Sequence, residues 1–253
     1  MYKRQIDIHA GGEDLIFPHH ENEIAQSECA NGCEFAHYWM HNAFLNIDNR
    51  KMSKSAGNFF TVRDVAEKFG YEPIRYLMVS SHYRSPINYS VDIIEQCKAS
   101  LERLYNCRDN LKFLMDNAPA GEKDGEKEIK HRFNGYEDQF IEAMEDDLNT
   151  ADALSALFDF ARDINSTLNA ASAPSKELCE YAYNLYMELA GVLGLLYNVQ
   201  EDSLDAQVEA LIAQRSEARK NRDFATADAI RDQLKEMGIQ LEDTKDGVKW
   251  SRI

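Results

Sequence analysis

The rhythm of apolar positions changes near residue 90. Before it, apolar residues come in short runs separated by turn residues; after it, they recur at three- and four-residue spacing over long stretches. Residues 1–12 read as a buried strand in which Ile6 and Ile8 lead into Gly11-Gly12. Pro18 suits the first turn of a helix running through His19 to about Ala30. Tyr38-Trp39-Met40-His41 and Phe44–Ile47 form the next strand region, with their aromatics read as core, and Asp48-Asn49-Arg50 turns the chain. Thr61-Val62-Arg63-Asp64 has the spacing of a capping box for a helix that stops at Phe69-Gly70. Glu72-Pro73 starts another, with Ile74, Leu77 and Met78 on one face.

From Ser90 the pattern predicts long helices. The first carries Ile93, Ile94, Cys97, Leu101, Leu104 and Leu111 at helical spacing. After a polar loop at 118–127, three more are predicted at about 129–146, 150–171 and 175–197; the acidic residues Asp146 and Asp147 read as a solvated helix end. A helix pair at 203–220 and about 223–237 follows. Ile239–Asp243 then pairs with Val248–Trp250 across an Asp-Gly turn, a strong hairpin signal. The expectation is three parts: an α/β region over 1–86, an all-α helical bundle over 87–200, and a small α+β domain over 201–253.

Composition adds limits. An apolar share of 44% over 253 residues is enough for buried cores. No apolar run approaches the ~20 residues that cross a bilayer, and the start has no apolar stretch of a signal peptide. Five cysteines at irregular spacing suggest no disulfide framework, which fits a reducing cytoplasm. Cys29 and Cys33, without a second pair, read as structural thiols. The net charge of −16 argues against unspecific nucleic-acid affinity. The excess sits in the middle: residues 1–89 carry 9 basic and 11 acidic side chains, 90–200 carry 10 and 21, and 201–253 carry 9 and 12. Both ends could therefore approach a polyanion through local basic patches.

Candidate chemistry lies mostly in the first third. Lys51-Met52-Ser53-Lys54-Ser55 sits between the strand region and the helix at Thr61. Two ammonium groups on long stems suit a polyanion that gains charge in a transition state, although a bare K-x-x-K is far more often a solvated turn. Gly11 and Gly12 at a strand end allow close backbone approach, and Asp14 could accept from ribose hydroxyls or cap a turn. His19 and Glu23, four apart, share a helix face and make half of a zinc site or a plain surface pair. His20 shares a face with Ile24 and faces either core or ligand. Arg215, Arg219, Lys220 and Arg222 cluster near a helix turn, with Trp250 downstream. That set suits unstacked bases, or is a charged helix face beside a small core.

The full pentapeptide KMSKS resembles the signature loop of class I aminoacyl-tRNA synthetases. Asp7-Ile8-His9-Ala10-Gly11-Gly12-Glu13-Asp14-Leu15, then Phe17-Pro18-His19-His20-Glu21-Asn22-Glu23, and Gly57-Asn58-Phe59-Phe60-Thr61-Val62-Arg63-Asp64 are similar to the cysteinyl-tRNA synthetase family. The resemblance runs on loosely to Ile253 and covers about the C-terminal half of that family; no H-I-G-H sequence occurs here. It implies the second half of a Rossmann-type core, a tRNA-binding helical bundle and an anticodon domain. It implies cysteine, tRNA(Cys) and ATP with Mg2+ as substrates and Zn2+ as cofactor, in a cytoplasmic monomer. By this resemblance Lys54 would contact ATP phosphate with Lys51 in support, and Gly11, Gly12 and Asp14 would meet the adenosine. His9 would lie near the amino-acid pocket. His19 and Glu23 would bind zinc with two cysteines from upstream that this sequence lacks. Arg219, Arg222 and Trp250 would read tRNA. On this reading the isolated chain is inactive in the overall reaction. Two alternatives share the lysine loop: a paralogous ligase joining cysteine to an amino-sugar, and a non-catalytic tRNA-binding module.

Overall fold

The computed structural model describes residues 5–51, 61–169, 173–198, 203–220, 223–244 and 247–252. They divide into two compact units, Met1–Lys98 with Ala143–Leu154, and Ala99–Glu142 with Ser155–Ile253.

In the first unit, β1 (Ile6–Gly12) and β2 (Ala36–Asn42) pair in parallel, joined by a turn region and helix α1 (Glu21–Asn31). A second sheet has β3 (Leu45–Ile47) at its centre. It is antiparallel to β4 (Arg50–Lys51) and parallel to β5 (Ile87–Tyr89). Helices α2 (Val62–Phe69) and α3 (Tyr71–Val79) lie between β4 and β5 in the chain. The predicted capping box at α2 is complete: Thr61 Oγ1 accepts from Asp64 N, and Asp64 Oδ2 accepts from Thr61 N. Gly70, at φ 82, ends that helix in a conformation few other residues adopt.

Two expectations need correction here. The first strand is not buried: Ile8 is 60% exposed. Nor is the second strand's aromatic set uniformly core, since Tyr38 is exposed while Trp39 is half-buried. Pro18 does follow a break, as expected of a first-turn proline, and helical backbone runs from it into α1. Phe17 is extended (φ −130, ψ 132), since the ring of a proline disfavours helical backbone in the residue before it.

The long helices are α4 (Val91–Asn117), α5 (Glu126–Glu145), α6 (Thr150–Thr167) and α7 (Lys176–Val192). Ser90 Oγ caps α4 by accepting from Ile93 N. In the second unit Leu104, Leu111, Phe133, Leu157, Phe160, Ile164 and Tyr186 are fully buried, with Phe133 and Phe160 edge to face at 5.1 Å. The hydroxyl of Tyr186 donates to Leu104 O at 3.1 Å, which satisfies its one polar atom in the core. Helices α8 (Ser203–Lys220) and α9 (Phe224–Glu236) precede the hairpin of β6 (Ile239–Thr244) and β7 (Gly247–Arg252). Ile212, Ile230, Leu234 and Ile239 form the small core of this part. Among the described residues no helix is long and apolar enough to cross a membrane.

Candidate functional site

Side-chain alternation along β1 and β2 builds the site. In their register His9 pairs with Trp39 and Gly11 with His41, so these four positions share one face of the parallel pair. The turn after β1 brings His20 back over that face, and the first turn of α1 brings Glu23.

Glu23 takes one imidazole on each oxygen. His9 Nε2 lies 2.7 Å from Oε2, and His19 Nε2 lies 3.4 Å from Oε1. The bond from His9, set against the cost of burial, holds the Glu23 carboxyl below its ordinary value. His20 is 4% exposed, and its Nδ1 is 2.8 Å from His41 Nε2. Burial, with His9 and His41 close by, pushes His20 below its ordinary value. The rings pack tightly: His9 lies 4.8 Å from both His20 and Trp39, and Trp39 stacks on His41 with 11° between planes.

Gly11 is small because of this packing. A Cβ there would sit 2.8 Å from His20 Cε1, inside contact distance. At Gly12 a Cβ would meet Asp14 Oδ1 at 2.5 Å. The two glycines thus admit neighbouring side chains of the same chain, where the sequence suggested room for a ligand. Asp14 is exposed beside Gly12.

The donor set suits a zinc ion in part. A tetrahedral ion with bonds of 2.0–2.2 Å has ligand atoms roughly 3.4 Å apart, and His19 Nε2 and Glu23 Oε1 are 3.4 Å apart. A second grouping exists: one ligand atom each from His9, His20 and Glu23 lie within 4.8 Å of one another. Either way the described residues supply nitrogen and carboxylate oxygen, and the sulfur expected from upstream cysteines is not among them.

Other sequence candidates are dispersed. The backbone of Lys51 pairs with Asn46 in β4; Lys54 lies outside the described residues, as does Arg222. Arg219 is exposed on α8, whereas Arg215 is 4% exposed. Trp250 faces Leu241 across the hairpin and packs, half-buried, against the small core. His41 and Trp39 were not picked out as site residues in the sequence. Only the β1–β2 register reveals them, and no spacing rule within either strand supplies it.

Three family models match successive parts of the chain: the class I (C) tRNA synthetase catalytic domain at residues 1–99, the DALR domain at 139–197, and the cysteinyl-tRNA ligase anticodon binding domain at 201–250. A cysteine–tRNA ligase of Lachnospira eligens is 52% identical over 249 residues, which is 98% of this chain and 52% of that protein. The chain therefore spans about half the length of that relative. Two solved structures share the fold. The Agrobacterium radiobacter K84 leucyl-tRNA synthetase, in a ternary complex with tRNA and LeuAMS, gives a TM-score of 0.56 at 18% identity over 75% of this chain and 28% of its own. The Mycobacterium tuberculosis methionyl-tRNA synthetase with methionyl-adenylate gives 0.54 at 19% over 74% of this chain and 41% of its own. The order of the three matched domains and the half-chain identity together place this chain in the cysteinyl-tRNA synthetase family.

Proposed function

We propose that the chain carries the metal-binding, lysine-loop and tRNA-reading part of a cysteine–tRNA ligase. The observation that carries this reading is the shared Glu23 carboxylate, which holds one imidazole at each oxygen. It sits within a chain 52% identical to such a ligase. In the reaction, the cysteine carboxylate attacks the α-phosphate of ATP and pyrophosphate leaves. A hydroxyl of the tRNA 3′-terminal ribose then attacks the acyl carbon, and AMP leaves.

His19 and Glu23 would hold Zn2+. When bound there, the metal supplies a preference for thiolate sulfur over hydroxyl oxygen, which separates cysteine from serine where a pocket of shape alone cannot. His9 would orient Glu23 through its 2.7 Å hydrogen bond and border the amino-acid pocket. Trp39 would shield that face from water. Lys54, supported by Lys51, would neutralise phosphate charge as it develops, and Gly11, Gly12 and Asp14 would meet the adenosine with Mg2+ accompanying ATP. Arg219, Arg222 and Trp250 would contact the anticodon. The match of residues 201–250 to an anticodon-binding model favours tRNA over an amino-sugar as acceptor. The chain would work as a monomer in the cytoplasm.

The test is binding of a labelled tRNA(Cys) transcript to this chain, with a tRNA of unrelated anticodon as competitor. Preferential binding of tRNA(Cys) is expected; equal competition by both would sink the reading. Incubated alone with cysteine, ATP and labelled pyrophosphate, the chain should form no labelled ATP. Exchange by this chain would show that the reaction needs nothing beyond it.

A further inference from the structure

The lysine pentapeptide begins at the end of a very short strand. β4 is only Arg50–Lys51, and its backbone pairs with Ile47 and Asn46 of β3. Asp48 and Asn49 make the loop between the two strands, at φ of 48° and 61°. Two consecutive left-handed residues form the hairpin turn whose twist matches its strands. Aspartate and asparagine tolerate that backbone better than most residues, yet it still costs any residue with a Cβ and persists where contacts fix it.

The contacts come from β5. In a two-residue loop the N–H groups of both central residues find no partner inside the turn. Here β5 takes both: Asp48 N donates to Tyr89 O at 3.0 Å, and Asn49 N donates to Asn88 Oδ1 at 2.8 Å. The first bond runs main chain to main chain and continues the parallel pairing in which Ile47 lies opposite Tyr89. The second depends on a side chain, so the residue at position 88 decides whether it forms.

The register places Asn88 opposite Asn46 on β3, and Asn46 opposite Lys51 on β4. One row of the sheet therefore carries Asn88, Asn46 and Lys51, and Asn88 also holds the turn between the last two. The central strand is firmly seated, since Ile47 is buried. A strand of two residues has too few ladder bonds to set its own direction, and the turn sets it.

We propose that Asn88 is a positioning residue for Lys51: by holding the Asp48-Asn49 turn it fixes the line along which the chain leaves β3 and enters the lysine pentapeptide. This rests on the proposed phosphate-neutralising role of those lysines. Asn88 acts through the turn and not through contact with the nucleotide. Where the turn is held, the chain is already in the form that grips phosphate. Where it is loosened, the apparent affinity falls with the fraction of chains that still hold it.

The experiment titrates this chain, Asn88→Ala and the double variant Asn88→Ala with Asn49→Gly with Mg·ATP, followed by calorimetry. Asn88→Ala should raise Kd by about fivefold, on the scale of one lost hydrogen bond. Glycine adopts positive φ freely and Asp-Gly forms this turn unaided, so the double variant should recover the native Kd. A role in stability alone would leave the Mg·ATP affinity of the folded chain where it was. A native Kd in Asn88→Ala therefore overturns the proposal. A double variant as weak as the single one overturns it too, because Asn88 would then act by some route other than the turn. Should Asn88→Ala fail to fold, Asn88→Leu, which keeps the bulk and removes the acceptor, decides. A native chain with no saturable Mg·ATP binding would remove the phosphate role of the lysines and this proposal with it, a result told apart because no variant then has an affinity to lose.

Discussion

Glu126 offers the sharpest test of how the helical region is held. It opens α5, yet its side chain is 4% exposed and reaches the start of α7. Oε1 accepts from Ser175 N at 2.8 Å; Oε2 accepts from Ser175 Oγ at 2.5 Å and from Lys123 N at 3.0 Å. Ser175 Oγ in turn caps α7 by accepting from Leu178 N. Burial works against the charge, but these three donors outweigh it, and the carboxyl is held below its ordinary value. In Glu126→Gln one acceptor oxygen becomes an amide donor. An NH2 at the Oε2 position can donate to Ser175 Oγ, which leaves Lys123 N–H without an acceptor, at a cost of about 1–2 kcal/mol. Glu126→Ala strands all three donors and should cost about 3 kcal/mol or more. The assay is urea unfolding followed by far-UV circular dichroism.

The pH dependence has a definite sign. A carboxyl whose folded pKa is depressed stabilises the fold above its unfolded pKa, and that stabilisation is lost as pH falls through the folded value. The difference between the native chain and Glu126→Gln should be full at pH 6–7 and shrink below pH 4.5, the ordinary glutamate value. A Gln variant as stable as the native chain at pH 7 would refute the argument. So would a difference that stays constant down to pH 3.

Removing the Thr61 hydroxyl with Thr61→Ala breaks the capping box of α2 and should cost roughly 1 kcal/mol. Amide exchange in α2 would then speed up about fivefold, and unchanged exchange would mean the cap carries no energy. Gly11→Ala places a methyl 2.8 Å from His20 Cε1. The expected outcome is a displaced His20 and a broken His20–His41 bond, at roughly 1–3 kcal/mol of overpacking; identical imidazole 15N spectra would contradict the packing. His19→Ala and Glu23→Gln should each lower Zn2+ retention on dialysis by more than about tenfold, since even supporting residues of metal sites carry that much. Retention equal to the native chain would move the metal elsewhere.

The helical half was legible because its signals are local. The spacing of Leu104 and Leu111, the Ser90 cap and the Asp-Gly hairpin each need only a few neighbouring residues, and each is found where expected. The bond from the Tyr83 hydroxyl to Asp147 Oδ1 was not legible. Tyr83 and Asp147 are 64 residues apart, and an acidic pair before a helix gives no hint of a phenol partner or of a left-handed backbone. Asp147 is exposed, as its charge suggested, but its partners come from a connector without periodicity. Glu126 did mislead, for a glutamate in a polar loop reads as exposed and this one is buried.

The histidine site falls between these cases, and the reason bears on what the chain can do. His9, His20, Glu23, Trp39 and His41 all lie within Ile6–Asn42, two parallel strands and the helix between them. Their contacts need only the β1–β2 register, so the imidazoles and the carboxylate arrive together once that unit forms. Sequence reasoning found His9, His19 and Glu23 because helix spacing and motif are one-dimensional, and it passed over His41 because register is not. The same locality means the cluster of imidazoles and carboxylate is drawn from 37 consecutive residues. Metal binding should therefore survive changes that abolish tRNA binding. An Arg219→Ala chain that loses tRNA affinity should still retain zinc to the native extent on dialysis, and loss of both together would show that the histidine site depends on α8.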